Sequence, residues 1–271
     1  MNTPRIAAAA ALCLTPLVAA ALPAQAASEA TVSILHAVPG ATVDVYANGK
    51  AVLTGFKPGT LTKPLTLPAG TYDLKVTAAG AGASGKAIMQ ADGVEVPGGA
   101  NVTVVAHLDA SGKPELTPFV NDTSMVPAGK ARVTVRHVAA APAVDVRANG
   151  TSVFKNLTNP NQATGVVPAG TVKADVVLAG TGTVSIGPAD LTLKEGANTI
   201  VYAWGSANDK TLQLAVQTIG GMHSAPGGIP AGEGGQAQAS ADLARYAAVG
   251  GAAALGAAVV LLTRRRTVPT R

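Results

Sequence analysis

The chain has 271 residues, 13% of them charged and 3% aromatic, with one cysteine and a formal net charge of +5. A single cysteine excludes an internal disulfide framework, so an exported form must be held by its apolar core alone. Across residues 27–244 there are 14 Lys+Arg against 15 Asp+Glu; no basic stripe remains there to neutralise phosphates, aromatics are too few for base stacking, and nucleic acid is excluded as a partner.

Residues 1–26 read as a secretory signal. Arg5 supplies a thin positive region, residues 6–22 form an apolar run, and Ala24-Gln25-Ala26 puts small residues at the cleavage positions. Cys13 lies inside this segment, and Ala11-Leu12 before it lacks the small residue expected ahead of a lipid-modified cysteine.

Two units of similar length follow, expected over residues 31–124 and 130–219. In the first, Val32, Ile34, His36 and Val38 share one face of an alternating segment, Val43 and Val45 start another, and Asn48-Gly49 closes it with the dipeptide that favours a tight hairpin. Leu65 and Leu67 lead into a turn at Pro68-Ala69-Gly70, Tyr72, Leu74 and Val76 alternate after it, and strands are predicted over 88–96, 102–107 and 116–120. Neither unit shows a sustained helical period. In the second unit strands are predicted over 133–137, 144–147, 171–178, 191–193, 199–204 and 212–218.

The second unit repeats the first. His36, Val43-Asp44-Val45 and Ala47-Asn48-Gly49 return as His137, Val144-Asp145-Val146 and Ala148-Asn149-Gly150; Pro68-Ala69-Gly70-Thr71 returns as Pro168-Ala169-Gly170-Thr171. The linker at 122–130 is short and contains Pro127-Ala128-Gly129, which places the two units close together. Closely spaced turn signals among many short strands point to sandwiches. The expected fold class is all-β: two tandem antiparallel β-sandwich domains, Ig-like or transthyretin-like, plus one C-terminal transmembrane helix.

That helix is read from the last part of the chain. Residues 220–242 are rich in Gly, Ala, Ser and Gln, cannot bury a core, and read as a disordered stalk with a reach of roughly 25 Å. A span over 243–263 contains 17 uncharged residues from Tyr246 to the Val259-Val260-Leu261-Leu262 run, and Arg264-Arg265-Arg266 abut it in the basic tail 264–271. At 1.5 Å per residue the uncharged stretch covers about 25 Å against a hydrocarbon core of about 30 Å. The arginines belong on the cytoplasmic side. The expected location is the cell membrane, single-pass, with the body of the chain extracellular.

The stretch His36-Ala37-Val38-Pro39-Gly40-Ala41-Thr42-Val43-Asp44-Val45-Tyr46-Ala47-Asn48-Gly49, with Leu67-Pro68-Ala69-Gly70-Thr71-Tyr72 after it, resembles domain of unknown function 4397. The second copy departs from it, lacking the proline that matches Pro39 and placing Arg147 where Tyr46 stands. The resemblance implies an exported, largely bacterial β-domain often found in tandem, and brings no catalytic residues with it. The Ala and Gly content is compatible with a high-GC bacterium.

The recurring His36, Asp44, Asn48 and Gly49, with His137, Asp145, Asn149 and Gly150, are expected to be structural. Alternation puts His36 inside with Val32 and Ile34, and Asp44 outside, opposite Val43 and Val45. The two would not meet, and each aspartate is expected to bond loop amides nearby. No serine or cysteine nucleophile accompanies them. His107 and His223 have no ligands at zinc spacing except Asp109, and single scattered carboxylates make no calcium loop. Gly80-Ala81-Gly82-Ala83-Ser84-Gly85 fits a dinucleotide fingerprint but precedes a strand rather than a helix. Ile200, Tyr202 and Trp204 share a strand face, expected to be a core strand covered on both sides. The expectation is therefore no catalytic residues, no metal, no cofactor, and a non-catalytic cell-surface binding or structural module with an envelope protein or glycan as partner. An extracellular hydrolase working between the two units is the alternative.

Overall fold

The computed structural model describes residues 28–223, and the signal, spanning and tail assignments, including Tyr246, Val259, Val260, Leu261, Leu262, Arg264, Arg265 and Arg266, lie outside them, as does the stalk beyond residue 223. The start of the stalk is corrected, because Met222 is buried and exchanges backbone hydrogen bonds with Val126 and Gly196. Among the described residues no helix is long and apolar enough to cross a membrane.

The first half holds β1 (Glu29–His36), β2 (Val43–Ala47), β3 (Lys50–Phe56), β4 (Leu65–Pro68), β5 (Gly70–Ala78), β6 (Ala87–Val96), β7 (Asn101–Leu108) and β8 (Pro114–Val120). The second holds β9 (Lys130–Ala140), β10 (Val144–Ala148), β11 (Thr151–Leu157), β12 (Gln162–Pro168), β13 (Gly170–Leu178), β14 (Val184–Leu193), β15 (Asn198–Ser206) and β16 (Gln213–Ile219). The sheets run β4-β1-β7-β8 and β3-β2-β5-β6, then β12-β9-β15-β16 and β11-β10-β13-β14. The strand order of one half is thus that of the other, as the sequence repeat requires.

All-β is what the structure shows, but wholly antiparallel it is not. β1 pairs parallel with β7 from Thr31↔Asn101 to His36↔Ala106, and β9 pairs parallel with β15 from Asn198↔Arg132 to Ser206↔Ala140. Alternation reveals which face a residue occupies; it carries no information on strand direction. The first strand of each half lies in the middle of its sheet, beside a strand that arrives only after the chain has built the other sheet. The reading of the second copy also lacks β11 and β12 and the first part of β14. Gly165 and the polar Gln162 and Thr164 dilute the alternation in β12, and most of β14 is exposed.

The four sheets stack as layers. Ile34, Val43, Val45, Phe56, Val76 and Ala106 pack between the two sheets of the first half, and Val135, Val144, Val146, Leu157, Val176 and Val201 between those of the second. A further apolar cluster joins the halves: Leu35, Ala37, Val105 and Phe119 from β1, its following residue, β7 and β8 meet Val138, Ile200, Tyr202 and Trp204 from β9 and β15. Sheets buried on both faces lose the polar alternation of a solvated strand, which is why every residue of β15 is buried. Arg132 fastens the linker beneath this seam, giving hydrogen bonds to the Asp122 and Ser124 carbonyls and the Ser124 hydroxyl and an ion pair of 3.1 Å to Asp122.

Candidate functional site

The repeated polar residues build three small devices, each made twice. His36 is fully buried at the end of β1, its ring 5.7 Å from that of Phe56. Its Nε2–H donates to the Ala41 carbonyl at 2.8 Å and its Nδ1 accepts from the Val38 amide at 3.4 Å, so one neutral imidazole closes the loop from β1 to β2. His137 does the same with the Pro142 carbonyl at 2.9 Å and the Ala139 amide at 3.4 Å.

Asp44 plugs a β-bulge. The register of β2 and β3 passes from Val43↔Phe56 to Val45↔Leu53, which leaves an extra residue in β3. Gly55, at φ 62°, supplies the left-handed turn of that bulge, and its freed amide donates to Asp44 Oδ1 at 2.8 Å. Asp44 Oδ2 takes a second amide, from Gly80 in the β5–β6 turn, also at 2.8 Å. In the second half Asp145 accepts from Asn156, itself at φ 54°, and from Gly180. Asp44 therefore lies on the outer face as alternation indicates, yet it is only 4% exposed, because the bulge and the turn fold over it. The expectation of an outside position is corrected in that respect. The amides of Gly55 and Gly80 hold the Asp44 carboxyl below the ordinary aspartate value, and those of Asn156 and Gly180 do so for Asp145.

Asn48-Gly49 and Asn149-Gly150 have φ values of 49°, 74°, 50° and 80°, the conformation of a tight hairpin turn. Each asparagine also exchanges two bonds with a neighbouring strand: Asn48 N–H to the Asp73 carbonyl and Asp73 N–H to Asn48 Oδ1, and Asn149 likewise with Lys173. His36 and Asp44 share no hydrogen-bond partner, and all of these groups are occupied by backbone.

The polar cluster that sequence reasoning missed lies in the seam between the halves. Arg136 on β9 is 1% exposed and has no carboxylate partner among the described residues. Its Nε donates to Gln162 Oε1 at 2.9 Å, Nη1 to the Tyr202 hydroxyl at 2.8 Å, and Nη2 to Asn121 Oδ1 at 2.8 Å. The Tyr202 hydroxyl and Thr103 Oγ1 both donate to Gln217 Oε1, and Asn121 Nδ2 donates to Asn101 Oδ1 and Thr103 Oγ1. The guanidinium carbon sits 4.4 Å from the centroid of Phe119. Burial pulls the Arg136 pKa down, against the hydrogen bond to Tyr202, but an arginine stays ionised in a protein. The repeat register shows how this arose: Arg136 pairs with Tyr202 where Leu35 pairs with Val105, and Ile200 with Gln217 where Thr103 pairs with Phe119. The signal available in the sequence was Arg136 itself, a charge inside a strand buried on both faces.

Residues 30–147 match the model of a family described as Domain of unknown function (DUF4397). The similarity to DUF4397 covers less than half of the chain. The DUF4397 match takes in all eight strands of the first half and continues through β9 and most of β10, so both His36–Asp44 and His137–Asp145 fall within it. No curated protein matches the chain. Among the described residues, no group of three or more His, Cys, Asp or Glu side chains could hold a metal ion.

The histidines give the domain an acid limit. Burial lowers the pKa of His36, His107 and His137 from an ordinary 6.5, outweighing in each case the hydrogen bond to a backbone carbonyl that favours the charged ring. The unfolded chain therefore takes up protons below pH 6.5 that the folded chain refuses, and stability falls as the pH drops from there toward the lowered values. Melting temperature is expected to be level from pH 7 to 8 and to decline between about pH 6.5 and 5; His137→Asn, measured in the same series, should flatten part of the decline. Asp44 and Asp145 act at lower pH, their contribution complete above 3.8 and lost as the pH falls through their depressed values.

Proposed function

We propose that the chain is a non-catalytic binding or structural module, displayed outside the cell by the segments that flank its β-body. The observation that carries this reading is that the polar residues repeated in both halves are all engaged in holding loops, bulges and turns. The architecture is read as two tandem Ig-like or transthyretin-like domains, with partners approaching the outer sheets and loop tips; an envelope protein or a glycan is the expected class. The hydrolase alternative would need an activated nucleophile between the halves. An open groove of about 330 Å³ does run along the seam, lined by Ser33, Thr62, Asn101 and Gln217 among others. None of its lining residues can serve as a general base, so a hydroxyl there has nothing to take its proton.

Fractionation of producing cells tests the display reading. The full-length chain is expected in the membrane fraction, with the β-body cut by protease added to intact cells. Recovery in the cytosol, or protection until the cells are lysed, would overturn it.

A further inference from the structure

The two halves repeat a fold but not its packing. Between the sheets of the first half the residual cavity is about 40 Å³; in the second half it is about 410 Å³. The repeat identifies the missing atoms. Leu67, Tyr72 and Leu74 face the first cavity, and the residues at the same places around the Pro-Ala-Gly-Thr turn of the second half are Val167, Val172 and Ala174. Phe154 and Leu191 are larger than their counterparts Leu53 and Val94, yet they stand in the wall and leave the space open. The space opens beside the Pro168-Ala169-Gly170-Thr171 turn and the exposed Val153, so it is a pocket that a ligand can enter and not a sealed void.

Chemistry of the wall narrows what could fill it. Most of the lining is Val, Ala, Leu and Phe, and Val153 at its edge is 48% exposed. The two charged residues, Arg147 and Asp175, are spent on each other in a bidentate pair of 2.6 and 2.7 Å, and Asn149 is bonded to the Lys173 amide. A charged ligand would find no free counter-charge. An engineered cavity of about 150 Å³ holds benzene, so this one has room for roughly 15 non-hydrogen atoms. Its volume and composition are those of small-molecule sites.

We infer that the second half binds an uncharged, chiefly aliphatic small molecule between its sheets, at the positions where the first half has Leu67, Tyr72 and Leu74. This goes beyond the display reading and does not rest on it. The test uses the full chain, a photoreactive diazirine fatty alcohol of about that size, and peptide mapping after irradiation. Label is expected on the peptide carrying β13, and Val172→Tyr/Ala174→Leu, which restores the residues of the first half, should reduce it at least tenfold while the melting temperature stays level or rises. The diazirine fatty acid should label the same peptide several-fold less than the alcohol. If the double variant fails to fold, Ala174→Leu alone is the comparison, with a partial loss expected. No label on β13, equal label in folded filled variants, or equal label from the acid and the alcohol would overturn the inference.

Discussion

Arg136→Ala should destabilise the protein by about 3–4 kcal/mol, on the order of 10 °C in melting temperature for a cooperative unit of this size. The change removes three hydrogen bonds given by a buried cation and leaves Asn121 Oδ1 without the donor it has now. Because Asn121 and Phe119 belong to the first half and Tyr202 and Gln217 to the second, the loss falls on the contact between them. Urea unfolding followed by circular dichroism is expected to change from one transition to two, as the halves cease to unfold together. Arg136→Leu copies Leu35, which holds the equivalent place in the first half, and should recover part of the loss by refilling the space. Equal stability of Arg136→Ala and the parent would show that the cluster does not join the halves.

Trp204→Ala is the second large effect, about 3–5 kcal/mol from lost packing and the cavity left behind. Trp204 is 3% exposed, packs in the apolar cluster between the halves, and reaches the β3–β4 connection, where a Cβ added to Gly59 would lie 3.2 Å from the indole. Its Nε1–H is buried and has no hydrogen-bond partner among the described residues. Trp204→Phe deletes that orphaned donor along with part of the ring, so the two terms offset and the net loss should be about 1 kcal/mol. Calorimetric melting of the pair checks the order: a phenylalanine variant as unstable as the alanine one would mean the indole nitrogen is satisfied by a group such as an ordered water.

Much of the fold could be read from residue patterns because duplication supplied an internal control. Two copies of Val-Asp-Val-x-Ala-Asn-Gly locate the same strand, hairpin and aspartate twice, and the alternation of Val32, Ile34 and His36 correctly puts the histidine inside. What the patterns lack is partner identity. Nothing in Val32–Ile34 or Val102–Val104 specifies that these strands run side by side in the same direction, and nothing about Ile200, Tyr202 and Trp204 says that the layer covering them is the other half. Alternation puts the aspartates on the outer face and bonded to loop amides, but the bulge that folds over them comes from a one-residue excess in β3, and again in β11, that no periodicity reveals. The hollow in the second half was visible in principle: aligning the copies sets Val172 and Ala174 against Tyr72 and Leu74. A shrinkage of that kind becomes a cavity only when the backbone fails to close over it.

Trp204 is the only tryptophan in the chain, and it sits where the two halves meet. The protein therefore carries an intrinsic fluorophore at its seam. Parting of the halves would move the indole from an apolar clamp into water and shift its emission to the red, whereas loosening of the loop tips would leave the spectrum alone. Unlabelled protein can thus report separation of its halves optically, in real time.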